Sequence, residues 1–114
     1  MYDREGKPIG MRDWGRLLGD REYRVVAKDT VGAYEVSTVW LGVDHGFSGG
    51  PPVIFETMVF GAGHPGDLDC WRYCTEAEAQ RGHAEVVLLL RATVETEPPR
   101  PPLRMPRQQG REEP

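Results

Sequence analysis

Hydrophobic and polar residues change their period several times along this chain, and each change marks an element. The run Val53-Ile54-Phe55-Glu56-Thr57-Met58-Val59-Phe60 is rich in β-branched and aromatic residues and bounded by Pro51-Pro52 and Gly61, which predicts a strand. Upstream, Tyr23, Val25 and Ala27 alternate with Arg24, Val26 and Lys28. Val31-Gly32-Ala33 then separates them from the run Tyr34 to Leu41, the spacing of an antiparallel hairpin. Cys70-Trp71-Arg72-Tyr73-Cys74 reads as a shorter, last strand. The period becomes helical twice. Met11, Trp14 and Leu18, with Leu17 beside them, share one face until Gly19-Asp20 stops the run. Ala79, Val86, Leu90 and Val94, flanked by Val87 and Leu89, give a second stripe on a helix from about Glu76 to Val94. Thr75-Glu76-Ala77-Glu78 has the capping-box form at its start. The opening residues turn through Glu5-Gly6 as an edge hairpin.

These elements predict an α+β fold: a four-stranded antiparallel meander, a C-terminal helix packed on one face, and a short N-terminal helix. The apolar stripe of the C-terminal helix needs a surface to bury it, and the sheet is the one large enough. Pro98-Pro99-Arg100-Pro101-Pro102 ends regular structure, because proline lacks the amide donor and restricts the residue before it. Residues 98–114 hold six Pro and no aromatic residue, so a single domain over 1–97 with a disordered tail is expected.

At 114 residues the chain has room for one hydrophobic core. The formal charge of -4 is uneven: the tail carries four Arg and two Glu, which leaves ten basic against sixteen acidic side chains, or -6, on residues 1–97. So acidic a domain repels a phosphate backbone, which argues against nucleic acid as a partner. Two cysteines are too few for a disulfide framework, and no stretch has the apolar run of a signal peptide or a membrane span. A cytoplasmic setting, away from any membrane, is expected.

The block from Ser37 to Phe60, with Ser37-Thr38-Val39-Trp40-Leu41-Gly42, Asp44-His45-Gly46-Phe47 and Gly49-Gly50-Pro51-Pro52 ahead of Ile54-Phe55-Glu56-Thr57-Met58-Val59-Phe60, resembles a family of small uncharacterised proteins of bacteriophages and bacteria, notably actinobacteria. The likeness extends to Met1-Tyr2-Asp3-Arg4, Gly6-Lys7-Pro8, Arg72-Tyr73 and Thr75 through Gly82-His83, and leaves out the tail. It implies a cytoplasmic, phage-type accessory role and carries over no activity, cofactor or catalytic residue.

Candidate chemistry is sparse. Gly46-Phe47-Ser48-Gly49-Gly50 has the G-x-S-x-G form of a nucleophile elbow, but Pro51-Pro52 and a strand follow where that motif needs a helix. No Lys-Ser/Thr follows the glycines, so they do not form a phosphate loop. His45, His64, Cys70, Cys74 and His83 are of zinc-ligand type. On a strand, however, Cys70 and Cys74 stand about 13 Å apart, and the loops with His45 and His64 fall at opposite ends of a strand about 26 Å long. No metal and no cofactor is expected.

Glu56 shares a strand face with Ile54, Met58 and Phe60, and a carboxylate in an apolar row needs a partner. Arg72 on the next strand and His83 on the C-terminal helix are the candidates, as a polar pair that sets helix-on-sheet register. The chemical alternative makes Glu56 an acid-base pair with His45 or His83 in a small hydrolase-like enzyme. Trp40, Phe47, Trp71 and Tyr73 offer an aromatic surface; Phe47, in a Gly-rich loop beside Asp44 and His45, is the ring with fewest ways to be buried. In the tail, Pro98-x-x-Pro101 has a form that polyproline readers bind. The expectation is a non-enzymatic protein-binding accessory, meeting a protein partner or a second copy through Trp40, Asp44, His45 and Phe47 or a sheet face, with small-molecule binding left open.

Overall fold

The computed structural model describes residues 1–46, 49–61 and 67–96. The chain opens on a tight turn. The Asp3 carboxylate accepts the amides of Glu5 (3.0 Å) and Lys7 (2.9 Å), Gly6 takes a positive φ of 85°, and Tyr2 bridges to Pro8. Helix α1 (Met11–Leu18) follows, as its apolar spacing predicts, and turns Trp14, Leu17 and Leu18 to the core while Met11 stays exposed.

Helix α2 (Arg21–Arg24) is a single turn, where the alternation of Tyr23 and Val25 predicted strand. Asp20 decides the matter, its side chain accepting the amides of Glu22 (3.1 Å) and Tyr23 (3.3 Å) as an N-cap. Strand β1 (Val25–Val31) begins only after that turn. It pairs with β2 (Tyr34–Trp40) across the two residues Gly32 and Ala33, so Val31 belongs to the ladder and not to the turn.

Strands β3 (Phe55–Gly61) and β4 (Asp67–Tyr73) complete an antiparallel meander in the order β1-β2-β3-β4. The fourth strand starts three residues before Cys70 and ends before Cys74. Asp69 had hidden its start, yet a charged side chain suits an edge strand, where it discourages pairing with another sheet.

Helix α3 (Glu76–Thr96) lies across all four strands. Its capping box forms as the sequence predicts: Thr75 Oγ1 accepts from the Glu78 amide (3.1 Å) and Glu78 Oε1 accepts from the Thr75 amide (3.2 Å). Arg4 ties this end to the N-terminal turn, its guanidinium paired with Glu76 and donating to the Tyr23 carbonyl (2.9 Å).

Two apolar clusters lie between α3 and the sheet. One joins Val31, Val36 and Val59 to Val86 and Val87 of the helix; the other places Trp40, Ile54 and Phe55 against Ala79 and is closed by Tyr2, Trp14, Leu17 and Tyr23. Each large side chain buried there contributes about 1.5–3 kcal/mol through area removed from water. Of the predicted helical stripe, Ala79, Val86 and Val87 are buried and Leu90 half-buried, but Leu89 and Val94 remain exposed. No described helix is long and apolar enough to cross a membrane. The expected Pro-Arg tail, residues 98–114, lies outside the described residues.

Candidate functional site

Strand parity sorts the polar side chains onto two faces. Beneath α3 lie Val36, Thr38 and Trp40 of β2, paired across the sheet with Val59, Thr57 and Phe55 of β3. Here a polar chain crosses the apolar layer. Asp29 Oδ2 stands 2.7 Å from His83 Nε2, His83 Nδ1 stands 2.7 Å from Thr38 Oγ1, and Thr38 Oγ1 stands 2.5 Å from Thr57 Oγ1. With Nε2–H donating to the carboxylate, a neutral imidazole accepts from Thr38, which accepts in turn from Thr57.

A carboxylate, an imidazole and a hydroxyl in series is the arrangement of a hydrolytic triad. Access separates this one from it. Thr38 and Thr57 have no exposed surface and His83 is 5% exposed, so no substrate carbonyl can reach the hydroxyls. Its work is structural, fixing where α3 sits on the sheet.

The other face carries Glu35, Ser37 and Val39 of β2, paired with Phe60, Met58 and Glu56 of β3, then Cys70 and Arg72 of β4 opposite Met58 and Glu56. All three helices pack on the first face or its end, so among the described residues no helix covers this one. Glu56 Oε2 accepts from Arg72 Nε (3.1 Å) and from the Cys70 thiol (2.9 Å). The carboxylate is 8% exposed while Arg72 keeps 46% of its side chain in solvent. Charge-assisted bonds thus hold a nearly buried carboxylate at the centre of a half-buried row of Val39, Met58 and Phe60.

The Glu56–Arg72 pair therefore forms, and the Glu56–His83 pair does not. The two side chains lie on opposite faces, because Glu56 has the wrong parity to meet a residue on α3. The acid-base alternative with His83 falls with it. His45 is exposed, its amide bonded to Val53 O (2.9 Å), and no hydrogen bond or ion pair joins it to Glu56 among the described residues.

Of the proposed binding residues, Trp40 is a correction: it has no exposed surface, donates from Nε1 to Tyr2 O (3.1 Å) and meets Tyr23 edge-on. Asp44 and His45 are exposed; Phe47, with Ser48 of the elbow-like motif and His64, lies outside the described residues. Neither cysteine is in a disulfide. Burial, and then the Glu78 carboxylate, push the Cys74 thiol up, which works against thiolate chemistry there. Among the described residues no group of three or more His, Cys, Asp or Glu is placed to hold a metal ion.

Asp44 organises its loop by accepting the amides of Val53 (2.9 Å) and Gly46 (2.8 Å), and these two bonds hold its carboxyl below the usual range. A carboxyl lowered on folding contributes stability above its unfolded pKa and loses it as pH falls through the folded one. Asp44→Ala is accordingly expected to lower the melting temperature at neutral pH, with the gap to wild type closing as pH drops below the ordinary Asp range. A gap constant across that titration would contradict the assignment.

Asp29, Thr38 and Thr57 were not singled out from sequence. The signal existed: each sits in an alternating row beside apolar residues, Asp29 between Ala27 and Val31, Thr38 between Val36 and Trp40, Thr57 between Phe55 and Val59. Arg4, which joins three elements, left no such signal. Comparison with protein-family models, with curated proteins and with solved structures finds no match.

Proposed function

We propose that this chain is a non-enzymatic accessory protein, of the phage type that its central block resembles, and that it binds another protein through the sheet face opposite α3. One observation carries the reading: the face that no described helix covers sets half-buried Val39, Met58 and Phe60 around the Glu56–Arg72 pair, apolar side chains about a charged group that reaches solvent through Arg72. The groups best suited to chemistry, His83 and the two threonines, are sealed on the other side.

The partner this face fits is a protein surface offering apolar side chains over Met58 and Phe60 and a carboxylate to Arg72. Arg72 engages Glu56 through Nε, so the rest of its guanidinium fork faces outward with nearly half the side chain in solvent. Arginine in this setting is a common interface anchor.

The test is capture from an extract of the producing cell on immobilised full-length chain, with Phe60→Lys and Arg72→Ala beside wild type. Phe60→Lys sets its charge opposite Glu35 on β2, so the sheet itself is spared. Both variants are expected to lose the captured protein by at least about tenfold while keeping a wild-type circular dichroism spectrum. Capture unchanged in both would end the proposal for this face.

A further inference from the structure

The side of α3 turned away from the sheet carries Arg81, Ala84, Glu85, Leu88, Arg91 and Glu95, all exposed. Leu88, at the middle of that side, is 64% exposed. The residues around it have a two-fold order. Ala84 and Ala92 stand four positions either side of Leu88, Glu85 and Arg91 three either side, and Arg81 and Glu95 seven either side.

We propose that a second copy of this chain docks here, with the two α3 helices antiparallel about an axis through Leu88. The two leucines then meet at the axis and Ala84 faces Ala92 of the second copy, small residues that let helices approach to about 8 Å. Glu85 faces Arg91 of the second copy, and Arg81 faces Glu95, each contact made twice by symmetry. Turning one helix to run parallel to the other sets like residues side by side and loses this complementarity.

Two observations say that these charges are available. Among the described residues none of the four belongs to an ion pair within its own chain. Arg81 with Glu85, and Arg91 with Glu95, are spaced for pairing along the helix, but with the cation N-terminal, the weaker orientation. Glu95 also stands in the last turn, where α3 has no basic residue and the helix dipole disfavours a carboxylate. Arg81 of the second copy supplies the missing cation.

From Arg81 to Glu95 the contact is about 21 Å long. One helix pair of that length falls short of the ~1,200 Å² of a permanent interface, so the dimer forms with rising concentration. It uses the side of the molecule opposite the uncovered sheet face and does not rest on the reading of that face.

Sedimentation of the full chain over a dilution series from about 1 μM to about 1 mM tests the proposal. Wild type is expected to pass from monomer to dimer. Glu85→Arg and Arg91→Glu should each raise the dissociation constant about tenfold or more, since each turns two attractive contacts into repulsive ones. Mixing the two variants should restore the dimer, because the arginines of one chain then face the glutamates of the other; so should Glu85→Arg with Arg91→Glu in one chain. Both substituted sites are exposed, and circular dichroism checks that the fold persists. Wild type that stays monomeric throughout overturns the proposal, as does a mixture that fails to recover. A dimer broken by Phe60→Lys and indifferent to the helix variants also overturns it, and assigns self-association to the sheet instead.

Discussion

Gly42→Ala is expected to lower the free energy of unfolding by about 3 kcal/mol or more, the strain of a left-handed residue added to overpacking. Gly42 has φ 76°, and a Cβ there would lie 2.6 Å from Trp14 Cδ1 and Nε1 and 2.6 Å from Trp40 Cζ2. Neither ring has room to move. Trp40 is fully buried and bonded to Tyr2 O, and Trp14 Nε1 donates to Leu41 O at 3.1 Å. The backbone is held as well, since Gly42 O accepts from the Tyr2 amide at 2.9 Å. Gly49→Ala separates the two causes: Gly49 has φ 73° but, among the described residues, nothing within 4 Å of its would-be Cβ, so it reports the strain alone, about 1–2 kcal/mol. Urea melts of both variants give the difference as a shift in midpoint. Equal losses in the two would mean that the Trp14–Gly42–Trp40 contact has no energetic weight.

That contact is beyond the reach of sequence reading, because it joins residues 14, 40 and 42 through the approach of three separate segments. The first three strands and the two longer helices were legible, since their periods persist over seven or more residues, while only the second half of β4 was. So was the capping of α3, a local matter of four residues. Asp20 gave the same kind of signal for α2, but the alternation beginning at Tyr23 competed with it, and a cap that satisfies two amides prevailed over three residues of pattern.

The face that α3 covers was the harder question. Both parities of residues 53–60 are apolar, and the even one, with Ile54, Met58 and Phe60, looks the oilier. The helix nonetheless takes the odd one. Register with β2 puts Val36 and Trp40 on the same side as Val59 and Phe55, and the Thr57 hydroxyl found there is met by Thr38 and, through it, by His83. A shift of one residue in parity exchanges every inward for every outward side chain, which is why Arg72 was placed correctly beside Glu56 and His83 was not. Ile54 lies just before β3, outside the alternation, and joins the core from there.

His83→Ala is expected to cost about 2–4 kcal/mol, through a cavity at the helix–sheet boundary and the loss of two hydrogen bonds. Thr38 and Thr57 would be left with only each other, and one hydroxyl proton would then have no acceptor in a site with no exposed surface. Asp29 suffers less, because nearly half its side chain already meets water. Thr38→Val should cost about 1–3 kcal/mol by removing the acceptor and donor that link the imidazole to Thr57. The double variant should cost at least about 1 kcal/mol less than the two losses together, since both act on one chain of bonds. The decisive variant replaces the whole relay: His83→Leu with Thr38→Val and Thr57→Val keeps the shape and removes the polar groups, and should come back close to wild-type stability. Recovery in that triple variant, read from urea melts, marks the relay as a device for register whose members matter because each leaves another unsatisfied. Triple-variant stability no better than that of His83→Ala would instead mean that the polar chain itself contributes net stability at this boundary.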